Sequence, residues 1–259
     1  MSLEITEAVI LKFFNWSESS RTVVFFSKDQ GRLALVDKGG RRINSKRGRL
    51  IQFARLEITY YSSQKETNGY ISDITVLETF SLDKEGSLGR LAYGSAACEL
   101  LYTLLSEQQV QPDLYNYFIT FMKIIENSDK HSLPTAFLTF FIHLLSYLGY
   151  HPALSNCVIC SKKIEGMQKD GDKVTFSPER GGVVCNACQK AGEYYIPLLP
   201  DEYFNLVELQ RLSLSKALGL MIGYQRATGL LEVLTKFASF QTGYKLDLKS
   251  IEFLRKLEK

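Results

Sequence analysis

Hydrophobic segments and polar turns alternate through the first 80 residues of the chain. Five short segments are rich in β-branched and aromatic residues, which favour strands, and the turns between them are rich in Gly, Ser, Asn and Lys. The segments are ITEAVILKFF, TVVFFSKD, GRLALVDKGG, RLIQFARLEITYY and GYISDITVLETF. Because no long stretch with helical spacing separates them, we expect an antiparallel sheet that closes into a small barrel. Both the OB-fold, the commonest five-stranded barrel that binds nucleic acid, and the SH3-like barrel fit this pattern.

From about Leu88 the apolar residues recur at steps of three and four, which places them on one face of a helix. The clearest case is LPTAFLTFFIHLLSYLGY, and Pro112 and Pro134 lie where helices are expected to begin. We therefore predict a multi-domain α+β protein. Its expected parts are an OB-fold nucleic-acid-binding domain at 1–80, a helical domain in two parts at 81–152 and 196–259, and an inserted cysteine module at 153–195.

The inserted module holds two Cys-x-x-Cys pairs with 24 residues between them: Cys157, Cys160, Cys185 and Cys188. Each pair supplies two sulfurs from one tight turn, and four thiolates complete a closed tetrahedral site that suits Zn²⁺. Gly181 and Gly182 suit a close backbone approach to the second turn. Redox catalysis is the other interpretation of a Cys-x-x-Cys pair, but it needs only one such pair, placed at the start of a helix after a strand. Because a catalytic zinc keeps one ligand position open for water, we predict a structural zinc.

Catalytic motifs are missing from the sequence. The histidines, His131, His143 and His151, have no recognisable acid or nucleophile partner, and Cys98 lies among small and apolar residues, as a buried cysteine does. The chain has no phosphate-binding glycine loop, dinucleotide fingerprint or His-Glu-x-x-His sequence. We expect a protein that is not an enzyme. The alternatives are a zinc-containing nucleic-acid enzyme, such as a nuclease, with an unrecognised active site, and a protein-interaction scaffold whose barrel does not bind DNA.

Positive charge is concentrated near the N-terminus. The whole chain carries a net charge of +3, whereas residues 1–60 hold eleven basic and six acidic residues, a net +5. One turn contains six cations and no acid: Lys38, Arg41, Arg42, Lys46, Arg47 and Arg49. Phosphates would offset their mutual repulsion, so we predict that this turn binds the DNA backbone. Trp16, in the polar turn NWSESS, is a candidate platform for unpaired bases, and Phe14 fits either that role or the core.

Nothing in the sequence resembles an export signal or a membrane span. The N-terminus MSLEITEAV lacks a basic segment followed by an apolar one, and the most apolar run, AFLTFFIHLLSYLGY, has 15 residues, too few to span a bilayer. We expect a cytoplasmic protein. Thiols stay reduced there, which favours metal binding over disulfides.

The ordered combination of these motifs resembles the RecO family of bacterial DNA repair proteins over nearly the whole chain. GRLALVDKGGRR and SKRGRLIQF are similar to that family's strand, basic turn and following strand. FIHLLSYLGYHPALSNCVIC and FSPERGGVVCNAC are similar to its helix, Gly-Tyr-x-Pro link and two cysteine pairs, and LDLKSIEFL resembles its C-terminal helix. Two positions depart from the pattern: Gly40, where Ala is usual, and Ser161, where Gly often follows the second cysteine.

The resemblance implies a recombination mediator with no covalent chemistry, acting in the RecFOR pathway. Such a protein binds single- and double-stranded DNA, promotes annealing and, with RecR, loads RecA onto DNA coated by single-stranded-DNA-binding protein. The implied partners are therefore DNA, RecR, the acidic, Phe-ended C-terminal tail of single-stranded-DNA-binding protein, RecF and RecA, and the implied location is the nucleoid. We expect the tail to bind an apolar groove of the helical domain. The nearby candidate cations are Arg211, Lys216, Arg226 and Lys236.

Overall fold

The computed structural model describes residues 2–40, 50–62, 69–83, 88–164 and 174–257, which divide into two compact units. The first unit comprises Met1–Asn127 with Leu248–Lys259, and the second comprises Ser128–Asp247. The two predicted helical segments, 81–152 and 196–259, therefore each contribute to both units.

The described strands, in chain order, are β1 (Ser2–Asn15), β2 (Arg21–Ser27), β3 (Gly31–Asp37), β4 (Ala54–Ser62), β5 (Gly69–Thr79), β6 (Val174–Ser177), β7 (Gly182–Val184) and β8 (Ile196–Leu198). The described helices are α1 (Leu88–Leu104), α2 (Pro112–Asn127), α3 (Leu133–Tyr147), α4 (Pro200–Arg211), α5 (Leu214–Ala217), α6 (Tyr224–Thr242) and α7 (Lys249–Leu257). Within the described residues, none of these helices combines the length and the apolar character that a membrane crossing requires.

The first unit contains a closed barrel with the strand order β1-β2-β3-β5-β4. Neighbouring strands are antiparallel except β3 and β5, which run parallel where they close the barrel. Alternate residues point inward, and Phe25, Leu35 and Ile58 lie fully buried in the barrel core. The predicted five-stranded barrel of the OB type is confirmed.

Two backbone irregularities shape this barrel. A bulge between Ile10 and Lys12 bends β1, so that its first half pairs with β4 and its second half with β2. The strand β4 begins later than the apolar pattern predicted, because Phe53 has a φ of 58° and breaks the extended conformation just before Ala54.

The helices α1, α2 and α7 complete the first unit, in which α1 packs against β1 and against both other helices. The start of α7 is fixed to α1 by Ser250, whose Oγ donates to Glu99 Oε1 at 2.8 Å. The last helix of the chain therefore returns to the unit that contains the barrel.

The helix α3 is the centre of the second unit and packs against α4, α5 and α6. Every residue from Leu133 to Ile142 is buried. The sequence pattern predicted burial of one face only, whereas this part of the helix is buried on all sides. Two threonines within it are satisfied: Thr139 Oγ1 donates to the Thr135 carbonyl at 2.7 Å, and the Ile222 N–H donates to Thr135 Oγ1 at 3.0 Å. A helix that is buried all round is typical of a domain core.

Candidate metal centre and nucleic-acid interface

The four cysteines predicted as metal ligands lie together in the second unit. Their Sγ atoms are all within 4.8 Å of one another. Cys157 is buried, Cys160 is exposed, and Cys185 and Cys188 are partly exposed. The cluster is therefore at the surface, with one sulfur set into the protein.

The first cysteine turn is closed by two backbone hydrogen bonds. The Cys157 N–H donates to the Lys162 carbonyl at 2.9 Å, and the Ser161 N–H donates to the Cys157 carbonyl at 2.9 Å. This turn places Ser161 in the left-handed region, with a φ of 60°. Glycine adopts that conformation without steric cost, which agrees with the glycine that often follows the second cysteine in the family pattern.

Two glycines bring the second cysteine turn against the first. Gly181 has a φ of 80°, and a Cβ placed on Gly182 would collide with the Ala153 carbonyl oxygen. The close approach allows two backbone hydrogen bonds. The Val183 N–H donates to the Ala153 carbonyl at 2.9 Å, and the Val158 N–H donates to the Val183 carbonyl at 3.0 Å. The close backbone approach predicted from the two glycines is confirmed.

The sulfur geometry fits a tetrahedral metal. Ligands at the usual Zn–S length of about 2.3 Å would place their sulfurs about 3.8 Å apart. The Sγ atoms of Cys160 and Cys185 are 3.8 Å apart. All four ligand positions of such a metal would be filled by sulfur, which leaves none for a reacting water. The cluster can therefore hold a metal ion in a structural role.

The pKa values of the clustered thiols also favour a bound cation. Burial opposes ionisation of Cys157, but backbone N–H groups, including those of Cys160 and Cys185, outweigh it and lower the pKa of this thiol to about 6. The pKa of Cys188 is instead raised to about 12, first by its side-chain hydrogen bonds with Cys160 and Cys185. Four sulfurs this close ionise together only if a cation offsets their charge.

A polar network that the sequence pattern did not reveal supports the cysteine module. Arg180 donates from Nε and Nη2 to the Glu193 carboxylate at 3.0 and 2.6 Å, and the Tyr195 hydroxyl donates to the same carboxylate at 2.6 Å. The hydrogen bonds from Arg180 and then from Tyr195 lower the pKa of Glu193 to about 2. No periodicity links these positions, because the fold of the module alone brings them together.

Cys98 and His143 have structural environments. The Cys98 thiol donates to the Ile10 carbonyl at 3.8 Å, and burial raises its pKa to about 12. A thiol that stays protonated is a poor nucleophile. His143 Nε2 lies 3.0 Å from the Leu209 carbonyl oxygen, and burial lowers the pKa of this imidazole. Cys98 therefore fits the buried role expected of it, and the burial and hydrogen bond of His143 fit a packing role.

The predicted DNA-binding residues are described only in part. Lys38 is exposed, and its Nζ lies 4.0 Å from the centre of the Tyr70 ring. Trp16 is 58% exposed in the turn between β1 and β2, and Phe14 is 39% exposed. The other five predicted cations lie outside the described residues: Arg41, Arg42, Lys46, Arg47 and Arg49.

A cluster of cations and aromatic rings near Phe14 was not predicted. Lys12 Nζ lies 4.9 Å from the Phe14 ring centre and 4.4 Å from that of Tyr102. The Arg32 guanidinium lies 5.7 Å from the Tyr102 ring and also donates to the Tyr102 carbonyl at 2.7 Å. Tyr102 belongs to α1, so the sequence gives no signal that places it beside the barrel.

An OB-type barrel, helices in both units and a four-cysteine cluster together define a multi-domain α+β protein with a candidate metal centre. The family model described as Recombination protein O N terminal matches residues 1–80, and that described as Recombination protein O C terminal matches residues 85–250. The chain belongs to the RecO family of DNA repair proteins.

Individual relatives agree with this assignment. The chain is 30% identical over 194 residues to the DNA repair protein RecO of Symbiobacterium thermophilum, with 74% of each chain covered. It is 26% identical over 265 residues to the DNA repair protein RecO of Caldanaerobacter subterraneus, with 97% of each chain covered. It is 24% identical over 262 residues to that of Listeria monocytogenes, with 99% of this chain and 96% of the relative covered.

Proposed function

We propose that this protein is a recombination mediator that binds single- and double-stranded DNA and promotes annealing without covalent chemistry. With RecR, it loads RecA onto single strands coated by single-stranded-DNA-binding protein, and RecF is a further partner. The observation that carries the proposal is the closed OB-type barrel in a chain matched by the N- and C-terminal models of the RecO family. OB barrels bind oligonucleotides on one sheet face and its adjoining loops. This function places the protein on the nucleoid, in the cytoplasm.

The basic turn and Trp16 are the proposed DNA contacts. Lys38 and Trp16 are both exposed and belong to the barrel unit. Arginine and lysine side chains of the turn would bind phosphates, and the indole of Trp16 would stack on an unpaired base.

Zinc is the proposed occupant of the cysteine cluster. Thiolate sulfurs in tetrahedral geometry favour this ion, and the 3.8 Å distance between Cys160 and Cys185 supports it. When bound, zinc would neutralise the thiolates and join the two cysteine turns.

The acidic tail of single-stranded-DNA-binding protein is the proposed ligand of the second unit. A groove of about 650 Å³ there is lined by Leu199, Glu202, Gly223, Tyr224, Gln225 and Arg226. Its wall therefore carries one acid and one base beside the apolar side chains of Leu199 and Tyr224. Arg226 already pairs with Asp201 at 2.8 Å, and Arg211 pairs with Glu208 at 2.6 Å. A bound tail would compete with these carboxylates for the two arginines, whereas the exposed Lys216 and Lys236 are the other two candidate cations.

A nuclease is the less supported alternative. In the described ranges, the four cysteines are the one group of metal-binding side chains with suitable geometry, and no carboxylate cluster accompanies them. A Mg²⁺-dependent nuclease needs such carboxylates.

The first test is a titration of labelled single-stranded DNA with the protein across a salt series. The second measures the annealing of complementary strands coated with single-stranded-DNA-binding protein. We expect salt-dependent binding and faster annealing with no cleavage in Mg²⁺. Absence of DNA binding at low salt would overturn the proposal, and cleavage would favour the nuclease.

A further inference from the structure

A row of directly paired residues crosses the outer face of the barrel. Phe14 on β1 pairs with Thr22 on β2, Thr22 with Val36 on β3, Val36 with Tyr70 on β5, and Tyr70 with Tyr61 on β4. Directly paired residues project from the same face of a sheet. This set of five residues is here called the outer row.

The neighbours of the outer row establish which face it occupies. Val23, Leu35 and Ile71 each follow or precede a member of the row by one position, and all three are buried in the barrel core. Because side chains alternate along a strand, the row itself points away from that core. Phe14 is 39% exposed and Tyr61 is 43% exposed.

The outer row has aromatic ends and a small middle. Neighbouring strands are about 4.8 Å apart, so Phe14 and Tyr70 are separated by on the order of 14 Å along the sheet. That distance corresponds to about four nucleotides at the 3.4 Å spacing of stacked bases. It is within the range of about 4 to 16 nucleotides that one OB-fold binds. Thr22 and Val36 between them are short side chains over which a flat base could lie.

Two rings of the outer row, those of Tyr70 and Phe14, each have an ammonium group beside them. Lys38 Nζ lies 4.0 Å from the Tyr70 ring centre, and Lys12 Nζ lies 4.9 Å from that of Phe14. Asp37, the acid next to Lys38 in the chain, is buried and pairs with Arg21 at 3.0 Å. Glu107 pairs with Arg32 beside Tyr102 at 3.4 Å. The surface therefore combines aromatic rings with positive charge, which suits a polyanion bearing flat bases better than an apolar peptide or a cationic partner.

Magnitudes decide whether a base can take the place of the lysine. An exposed cation–aromatic contact changes an equilibrium by about 2- to 5-fold. Stacking of a base on an aromatic side chain changes it by about 5- to 150-fold. A base would therefore displace the ammonium from the ring, and the released lysine would stay close enough to contact the adjacent phosphate.

We propose that the outer row is a stacking track for unpaired nucleobases, with Tyr70 and Phe14 as platforms and Lys38 and Lys12 as the phosphate contacts beside them. The proposal rests on the proposed DNA-binding function and assigns its base-contacting surface. It adds Tyr70 and Lys12 to the residues predicted from the sequence.

The test compares two oligonucleotides of equal length and charge, one of thymidines and one made entirely of abasic sites. Wild-type protein should bind the thymidine strand more tightly, because only that strand can stack. Tyr70→Leu should reduce the ratio of the two affinities by about 5-fold or more, and Phe14→Leu combined with it should reduce the ratio further. Tyr244→Leu, at a tyrosine that is 56% exposed in the second unit, is the matched control and should leave the ratio unchanged.

The outcomes separate the two proposals. If Tyr70→Leu retains the wild-type ratio while both proteins bind DNA, the stacking track is wrong and the DNA-binding function stands. If both affinities fall equally, the substitution has acted through the fold or through phosphate contacts, and the track is also wrong. If wild-type protein binds neither strand, the proposed function itself fails.

Discussion

The Sγ atoms of Cys160 and Cys185 lie 3.8 Å apart although 24 residues separate them in the chain. Each sulfur belongs to a different turn, and the Val158 N–H bond to the Val183 carbonyl joins those turns at 3.0 Å. Around them are three short strands, β6, β7 and β8, which form a small sheet. A sheet of this size is marginal by itself, so a metal that links both turns should contribute much of the module's stability.

Cys160→Ser should therefore abolish stoichiometric metal binding and unfold the cysteine module. Structural zinc contributes on the order of 10 kcal/mol to a small module, which three short strands cannot replace. Elemental analysis should find close to one zinc per wild-type chain and nearly none in the variant. Hydrogen exchange should show lost protection at Val183 and Val184, with the barrel residues Phe25 and Leu35 still protected.

Cys98→Ala is the control for this experiment, because Cys98 is a buried thiol outside the cluster. It should retain full zinc content. Undiminished zinc in Cys160→Ser, or protected amides in the module of zinc-free protein, would contradict the structural role.

Ser161→Gly should stabilise the zinc-bound module. Ser161 has a φ of 60°, a conformation that costs a residue with a Cβ about 1–2 kcal/mol and glycine almost nothing. Part of that gain is lost to the greater freedom of glycine in the unfolded chain, so the net gain should be about 1 kcal/mol or less. The gain in stability should appear as slower release of zinc to a chelator from Ser161→Gly than from the wild-type protein. Ser161→Ala keeps the Cβ and should give no gain; equal effects of the two substitutions would rule out backbone strain as the cause.

Gly40→Ala should destabilise the barrel, although alanine is usual at this position in the resembling family. A Cβ here would collide with the carboxylate of Asp37, which is 2% exposed and accepts a hydrogen bond from Arg21 at 3.0 Å. Overpacking of this kind costs typically about 1–3 kcal/mol. Urea unfolding, monitored by a spectroscopic probe in the barrel, measures this loss of stability. Gly219→Ala is the matched control, because its added Cβ would meet nothing within 4 Å. Equal stability of both variants would mean that Asp37 moves aside at no cost.

Arg41→Ala combined with Arg42→Ala should weaken binding to every single-stranded sequence and make the salt dependence shallower. Each phosphate contact contributes about 0.7 to the slope of log K against log salt, so the slope should change by about 1 to 2.

Trp16→Ala should instead reduce the free energy of DNA binding by about 1–3 kcal/mol with little change in slope, since stacking releases few ions. Fluorescence titrations at several salt concentrations measure both effects. Lys245→Ala, at an exposed lysine of the second unit, is the control. An unchanged slope in the double variant would place the phosphate contacts elsewhere.

The candidate metal centre could be predicted from the sequence because its determinants are local. A Cys-x-x-Cys pair presents two sulfurs from one turn whatever the rest of the chain does, and only the meeting of two such turns is left to the fold. The supporting network of Arg180, Glu193 and Tyr195 could not be predicted, because charged and hydroxyl side chains occur at many surface positions and only their spatial coincidence distinguishes these three.

The sequence by itself determined the five strands, the helical segments and the cysteine turns, because spacing of apolar residues and turn composition act over a few neighbouring positions. Tertiary structure alone decided that β3 and β5 meet in parallel, which puts Tyr70 beside Val36, and that Tyr102 of α1 lies beside Phe14. It also decided that α7 returns to α1, where Ser250 bonds Glu99 across 151 positions of the chain. Such contacts depend on which surfaces fit together once the elements exist, and no local pattern of residues encodes that fit.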